Sequence, residues 1–179
     1  MKRIGLIVLL LLPIIGLSQN AKLTKVKLKQ DKSALYYYNK DSVCIEDKKE
    51  VSKLLFGFHQ FFKMVREDNF EGYLSCLTSK TLERIVPDKL DRKYKKFRGY
   101  NANLTGKIIV KSIQPGQKEY LDEEGIPVYT CTVYLPEGQE IIRRVGFDPL
   151  KRNRSEEAKN LLALLIAKEN DEYKVVILW

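Results

Sequence analysis

The fold is decided by one stretch of sequence, residues 51–65, which reads VSKLLFGFHQFFKMV. Its apolar residues recur at spacings of three, four and seven, which places them on one stripe of an α-helix. Asp47 stands just before the stretch as a predicted N-cap, and Glu50 is its predicted capping-box partner three residues on. We therefore predict a long amphipathic helix over roughly residues 47–68.

Shorter helical segments are predicted to follow this helix. Asn69 is the expected N-cap of a second helix, and Thr78 or Ser79 is the expected N-cap of a third. Pro87 is expected to end the third helix, and residues 88–98 then add one more basic helical turn. The first half of the chain is thus predicted to be mainly helical.

The second half of the chain changes to a period of two, which is typical of strands. The predicted strands cover residues 108–112, 126–135, 139–147, 161–167 and 173–179. We expect the second and third of these to form an antiparallel hairpin, because a Pro-Glu-Gly turn separates them. The last two strands are joined across Asn170 and Asp171. For the start of the strand at residues 161–167, the alternative prediction is a helical turn.

The amino terminus is typical of a secretory signal peptide over residues 1–18. Two basic residues begin it, residues 6–15 are almost continuously apolar, and Gly16 and Ser18 stand where signal peptidase requires small residues. The apolar run is too short to span a bilayer, which takes roughly 20 residues. We expect an exported protein, periplasmic or extracellular, that keeps no membrane span after cleavage.

The composition excludes two protein classes. Of the 179 residues, 44% are hydrophobic and 31% are charged, so the chain is not intrinsically disordered. A single long apolar stretch excludes a polytopic membrane protein. Cleavage after residue 18 removes two basic residues and no acid, which lowers the net charge from +9 to +7. Because export makes nucleic acid an unexpected partner, this charge indicates solubility or an anionic envelope component.

We divide the exported part into an N-terminal extension, residues 19–46, and a single α+β domain, residues 47–179. In the extension, the alternation of apolar residues and lysines around Val26 indicates a short edge strand. Residues 35–38 and 43–45 are predicted to pair as a short hairpin around a polar turn.

Residues 164–176 at the end of the chain read LLIAKENDEYKVV, with an acidic turn, an aromatic residue, a Lys and then Val residues. This combination resembles the last hairpin of the nuclear transport factor 2-like superfamily. Residues 54–65, followed by NFEGYL at residues 69–74, resemble the superfamily's opening helices. The resemblance covers roughly residues 51–179.

This resemblance implies a cone-like α+β barrel, in which N-terminal helices pack on a curved antiparallel sheet around a pocket. The superfamily contains enzymes such as ketosteroid isomerase and scytalone dehydratase, and also non-catalytic binding modules, so the fold assigns no function. An isomerase-like site resembles a Tyr with one or two acids inside the cone, and no acid here lies mid-strand on an apolar face. The resemblance also implies a homodimer.

We therefore expect a binding or interaction module that holds a small apolar or anionic ligand and needs no cofactor. The alternatives are an enzyme of the same fold and a structural protein associated with the envelope. An enzyme would need at least two converging polar groups in a deep pocket, whereas a binding module needs an apolar pocket with one anchor group.

Arg143 is the first candidate ligand residue. On the predicted strand 139–147 it shares a face with the apolar Ile141 and Val145. If that face points inward, the Arg143 guanidinium would hold a carboxylate or sulfate through two hydrogen bonds. A register shift near Gly146, or neutralisation by a core acid, is the alternative.

Three further side chains are candidates for the ligand site. His59 lies on the flank of the helical stripe, either as a base or pH-sensitive contact at a cavity mouth or as a boundary residue with one hydrogen bond. Tyr73 and Tyr129 are the candidate pocket tyrosines. Because the chain has one histidine and no acidic cluster, no metal site is expected.

The chain has three cysteines, Cys44, Cys76 and Cys131, which allow at most one internal disulfide. Cys76 with Cys131 is the first pair to test, because both lie in strongly patterned segments. The alternative is that each is a buried thiol that acts as a small apolar residue.

Residues 89–98 contain six basic residues, interleaved with Tyr94 and Phe97. In a cytoplasmic protein this pattern would indicate nucleic acid. After export the candidate partners are an anionic lipid head group, a polyanionic glycan or an acidic protein. The alternative is a solvated face on which Asp88 and Asp91 pair some of the charge.

Overall fold

The structure, a computed structural model, describes residues 22–29, 31–98, 100–102, 104–116, 126–135, 141–143 and 160–177, with the backbone alone for 100–102 and 141–143. Its elements are, in chain order, β1 (Thr24–Lys27), β2 (Ala34–Tyr38), α1 (Lys48–Arg66), α2 (Phe70–Ser75), α3 (Ser79–Arg84), α4 (Pro87–Arg98), β3 (Tyr100–Ala102), β4 (Gly106–Pro115), β5 (Val128–Tyr134), β6 (Ile141–Arg143), β7 (Leu161–Glu169) and β8 (Glu172–Val176). The predicted α+β class is confirmed. The predicted signal peptide lies outside the described residues.

The predicted long helix is confirmed as α1. The Asp47 carboxylate caps it by accepting a hydrogen bond of 2.8 Å from the backbone N–H of Lys49. Glu50 turns its carboxylate toward the sheet, where it binds Lys168 and Tyr173. The cap therefore depends on Asp47, and Glu50 joins the helix to the sheet.

The three shorter helices also begin at polar caps or at proline. Asn69 caps α2 through the N–H of Gly72, and Thr78 caps α3 through the N–H of Thr81. Pro87 stands at the start of α4, where its missing N–H leaves no helical hydrogen bond unmade. The basic segment is accordingly a helix of 12 residues, and the single predicted turn was too short.

The main sheet has six strands in the order β1-β2-β4-β5-β7-β8. All neighbours are antiparallel except β2 and β4, which run parallel. The predicted edge strand near Val26 is present as β1. The hairpin predicted between residues 35–38 and 43–45 is wrong, because β2 pairs with β1, and Val43 makes only an isolated bridge to Ile113.

The pairing predicted between residues 126–135 and 139–147 is also wrong. Both sides of β5 are occupied, by β4 on one side and β7 on the other. The described part of the later segment, β6, pairs instead with β3 in a separate two-stranded sheet. A turn signal between two strand patterns indicates a reversal of the chain, and it does not select the partner strand.

The last hairpin is confirmed, and β7 is a strand of nine residues with no preceding helical turn among the described residues. Asn170 and Asp171 connect β7 to β8 with φ values of 50° and 63°. Two consecutive left-handed residues form the tight turn whose twist matches that of the flanking strands, and Asn and Asp tolerate this conformation better than most residues.

The core lies between α1 and one face of the six-stranded sheet. The stripe of α1 is fully buried at Leu54, Leu55, Phe58 and Phe61. From the sheet, β2 contributes Tyr36, β4 contributes Ile108, and other alternate residues of the sheet are also buried. These side chains form one hydrophobic core that is closed to solvent.

The distance between α1 and β8 is set by Gly57. A Cβ atom at this position would lie 2.1 Å from the carbonyl oxygen of Tyr173 in β8. Only glycine allows the helix to lie this close to the strand, because the obstructing atom belongs to the backbone and cannot rotate away. This contact explains the glycine in the middle of a helix, where it otherwise costs about 1 kcal/mol relative to alanine.

We expect Gly57→Ala to destabilise the protein by about 2–3 kcal/mol even though alanine is the better helix former, because α1 must move away from β8. Urea denaturation measures the change. Ser52→Ala, on the same helix, is the matched control and should change stability by less than about 0.5 kcal/mol. A Gly57→Ala variant as stable as the parent would contradict the close approach.

Candidate functional site

The predicted site residues are separated into different surroundings. His59 is buried beside β2 and the β1–β2 connection, Tyr73 lies in an aromatic cluster of the helices, and Tyr129 lies near β8. The side chain of Arg143 lies outside the described part of the chain, so its role as an anion anchor remains a prediction. The described candidates therefore do not form a single site.

His59 is held by two partners from the N-terminal part of the chain. Its Nε2 atom lies 2.9 Å from a carboxylate oxygen of Asp31, and its Nδ1 atom lies 3.0 Å from the Tyr36 hydroxyl. Asp31 in turn accepts hydrogen bonds from the N–H and hydroxyl of Ser33. Both ring nitrogens are thus occupied, and the His59 side chain is only 4% exposed.

The protonation of this group follows from its partners. Hydrogen bonds from Ser33 and His59 hold the pKa of Asp31 well below its usual range, so the carboxylate only accepts. Nε2 of His59 must therefore carry the ring proton and donate a hydrogen bond to Asp31. Nδ1 accepts a hydrogen bond from the Tyr36 hydroxyl. Burial lowers the pKa of His59. The nearby charges of Arg66 and Lys63 also lower it, whereas Asp31 raises it. His59 is a neutral tether between α1 and the β1–β2 hairpin.

Tyr73 is enclosed by aromatic rings. Its ring lies 5.5 Å from that of Phe61 and 5.0 Å from that of Tyr94, measured between centroids. The Tyr73 side chain is fully buried, and its hydroxyl has no hydrogen-bond partner in the described part of the structure. Burial raises the pKa of this phenol, so it stays protonated. Its surroundings are those of a core side chain.

Tyr129 belongs to a polar edge where α1 meets the end of the sheet. Its ring lies 6.2 Å from that of Tyr173, whose hydroxyl donates a hydrogen bond of 3.0 Å to Glu50. Burial raises the pKa of Tyr129, and burial together with Glu50 raises that of Tyr173. Both phenols are therefore neutral hydrogen-bonding groups.

Four charged side chains form a closed ring at the same edge, and we call them the ion ring. Lys53 bridges Glu50 at 3.2 Å and Asp171 at 2.6 Å, while Lys168 bridges the same two carboxylates at 2.8 and 2.9 Å. Two hydrogen-bonded lysines lower the pKa of Asp171 to about 2, and the Lys168 hydrogen bond lowers that of Glu50. The ion ring joins the first turns of α1 to the β7–β8 turn.

A groove of about 380 Å³ begins at the ion ring and follows the outer flank of α1 beside β8. Ligand pockets in proteins usually measure about 300–1,000 Å³, so the groove has room for a small molecule. Its lining residues are Lys53, Phe56, Gly57, Gln60, Met64, Ser75, Cys76, Asp171, Glu172, Tyr173 and Lys174. The helix contributes Phe56, Gln60 and Met64, spaced four residues apart, which forms a second stripe outside the core.

The charges of the groove are balanced. Two cations, Lys53 and Lys174, oppose two carboxylates, Asp171 and Glu172. Lys53 is paired within the ion ring, and Lys174 lies 3.6 Å from Glu169. The groove therefore has a partly apolar floor without a free cation, which favours an uncharged or zwitterionic occupant over a simple anion.

Cys44, Cys76 and Cys131 are free thiols in the structure, and the pairing of Cys76 with Cys131 stays a prediction. Cys131 is fully buried in β5, whereas half-buried Cys76 lines the groove and Cys44 is exposed. Burial raises the pKa of Cys76 and of Cys131, so both are protonated thiols. The surroundings of Cys131 are those of the alternative prediction, a buried thiol that acts as a small apolar residue.

The described residues also bear on metal binding and on membrane spans. No group of three His, Cys, Asp or Glu side chains within the described ranges is arranged to hold a metal ion. None of the helices described is both long and apolar enough to cross a membrane.

Sequence reasoning missed the residues that organise these sites. Asp31 and Tyr36 gave no signal, because their relation to His59 depends on folding of the β1–β2 hairpin onto α1. The groove did leave a signal, since Phe56 and Met64 are apolar residues outside the main stripe of α1. A second apolar stripe on an amphipathic helix indicates a second contact surface.

We expect stability to fall as the pH is lowered from 7 to 5, because burial lowers the pKa of His59 below its unfolded value of about 6.5. As the pH falls, the unfolded chain binds a proton at His59 before the folded chain does. The stabilisation that comes from neutral His59 is therefore present above about pH 6.5 and is lost as the pH falls toward the pKa of the folded state. Urea midpoints at several pH values measure the slope. Because His59 is the single histidine, His59→Gln should flatten the curve, and an unchanged slope would contradict the assignment.

Tyr73→Phe and Tyr36→Phe remove the same hydroxyl and should have opposite effects. The Tyr73 hydroxyl is buried without a partner, so its removal should stabilise the protein by about 1 kcal/mol. Removal of the Tyr36 hydroxyl leaves His59 Nδ1 unsatisfied and should cost about 1–2 kcal/mol. Thermal and urea denaturation measure both. Destabilisation by Tyr73→Phe would show that the hydroxyl has a partner.

Comparison with known proteins adds no assignment to this geometry. No protein-family model matches the chain, and a search of curated proteins finds no significant match. Function must therefore be inferred from the groove, the buried polar group and the surface charge.

Proposed function

We propose that this chain is an exported binding module whose ligand site is the groove between α1 and β8. The carrying observation is the groove itself, which is open and has a partly apolar floor beside the buried core. Phe56 and Met64 supply apolar contact, and Gln60 and Ser75 supply hydrogen-bonding groups for orientation. The ion ring holds one end of the groove in place.

The charge balance narrows the expected ligand. Of the two classes expected from the sequence, apolar and anionic, the groove favours the first, because its two cations are already paired with carboxylates. A small, largely apolar molecule with polar ends would use the floor and the amide of Gln60. A free anion would have to displace Asp171 or Glu169 from its lysine.

The polar groups support binding over catalysis. An enzyme of the isomerase or dehydratase type needs a carboxyl group that is unpaired and partly desolvated. Asp31, Glu50 and Asp171 are instead paired or hydrogen-bonded, and their pKa values are lowered. His59 has both ring nitrogens occupied inside the core.

We include in this proposal a cone-like barrel of the nuclear transport factor 2-like type. Its support is the chain order, with helices before antiparallel strands, and the packing of α1 across β7 and β8. A register shift between Val110 and Ser112 in β4 adds a local bend of the kind that curves sheets. The parallel β2–β4 pairing is an addition of the N-terminal extension.

The groove proposal is tested by titrating the full chain with N-phenylnaphthylamine, an uncharged fluorescent probe. We expect saturable binding that Gln60→Trp weakens at least tenfold, because the indole fills the groove while residue 60 stays on the half-buried outer flank of α1. The folded state should change by less than about 1 kcal/mol.

The matched control is Lys48→Trp, which introduces the same indole at an exposed position of α1 outside the groove lining. It should leave the affinity unchanged. Anilinonaphthalene sulfonate, an anionic probe of similar shape, should bind more weakly than the uncharged one. Absence of saturable binding, or an equal loss in both variants, would refute the groove as the ligand site.

A further inference from the structure

One surface of the described chain carries basic residues that the groove does not use. Lys89, Arg92 and Lys96 lie three and four residues apart, so they lie along one side of α4, opposite the buried Leu90 and Tyr94. We call these three cations the basic stripe. It extends about 10 Å along the helix at a rise of 1.5 Å per residue.

The basic stripe differs from the other cations of the helix. Lys95 is paired with Asp91 at 2.6 Å, and Arg98 is paired with Asp68 at 2.9 Å. The three cations of the stripe are exposed, and no ion pair or hydrogen bond involves their side chains in the part of the chain that the structure describes. Their charge is available to an external partner.

Two exposed apolar side chains come shortly before the basic stripe in the chain. The described residues include three large apolar side chains that are exposed, and two of them, Leu82 and Val86, belong to the α3–α4 segment. Val86 is 58% exposed and its carbonyl accepts the first hydrogen bonds of α4. Leu82 is four residues earlier, so its Cα lies within about 14 Å of that of Val86. We call Leu82 and Val86 the apolar pair.

We propose that the α3–α4 segment docks on an anionic lipid bilayer surface, with the basic stripe against the head groups and the apolar pair in the interface. Charge complementarity accounts for the stripe, since a basic side chain near an anionic bilayer contributes about a fivefold gain in binding. The apolar pair selects a bilayer over a soluble polyanion, because a polyanion offers charge without an apolar layer. This inference is independent of the groove, which lies on α1 and β8.

The test measures partition of the full chain onto vesicles of phosphatidylcholine with 30% phosphatidylglycerol, relative to phosphatidylcholine alone, at about 0.1 M salt. The readout is the partition onto anionic vesicles divided by the partition onto neutral vesicles. Every variant contains residues 1–18, so any apolar contribution of that segment is common to all of them. We expect a ratio of about a hundred or more for the parent chain, since three cations each contribute about fivefold. K89Q/R92Q/K96Q should lower binding to the anionic vesicles by about a hundredfold.

The charge-matched control is K27Q/K29Q/K40Q, which removes three exposed lysines elsewhere and should change binding by less than twofold. Urea midpoints verify that both triple variants are folded. A parent ratio near one, or an equal loss in the control variant, would overturn the proposal, because the effect would then follow net charge alone.

L82S/V86S separates a bilayer from a soluble polyanion. We expect this variant to lose about tenfold in binding to the anionic vesicles while its retention on dextran sulfate stays unchanged. If the apolar substitutions leave vesicle binding unchanged, and dextran sulfate is bound through the same three cations, the partner is a soluble polyanion and the bilayer proposal is wrong.

Discussion

The contact between Gly57 and the carbonyl of Tyr173 sets the position of α1, and the other features follow from that position. With the helix this close to β8, its main stripe reaches the sheet interior at Phe58 and Phe61. The flank that carries Phe56 and Met64 is left beside the strand and forms the groove. A helix displaced outward by one methyl group would separate from the core and also change the floor of the groove.

Polar groups hold α1 at both ends of its contact with the sheet. Toward the N-terminal hairpin, His59 joins Asp31 and Tyr36, and each ring nitrogen is used once. Toward the β7–β8 turn, the ion ring joins Glu50 to Lys168. The first group is buried, so an unmade hydrogen bond there is costly. The second is half-buried at Glu50 and Lys168 and exposed at Lys53 and Asp171, and its effect is mainly to orient the turn and the end of the groove.

The surplus positive charge is distributed unevenly over the described chain. Cations near the groove and on the inner side of α4 are paired with carboxylates, as Lys53 is with Asp171 and Arg98 with Asp68. The basic stripe is the contrasting case, because its three side chains have no described partner and come shortly after two exposed apolar residues in the chain. Net charge alone therefore says little about partners, whereas its local pairing separates cations that stabilise the fold from cations available to an external surface.

The features that the sequence alone determined are local ones. The stripe of α1, the caps at Asp47, Asn69 and Thr78, and the turn at Asn170 depend on residues within a few positions of each other. Periodicity and side-chain hydrogen bonding to the nearby backbone act at that range, so these predictions were correct. The length of α4 was underestimated because proline was taken as an end, although it equally suits the first turn of a helix.

Tertiary structure alone decided the strand partners and the surroundings of the candidate residues. The parallel pairing of β2 with β4, and the neighbours of β5, join segments far apart in sequence, and the strand patterns fit several pairings equally well. For the same reason His59 was recognised as a candidate but its partners were not. The groove depends on the closeness of α1 to β8, which is a property of two packed surfaces and cannot be read from either segment by itself.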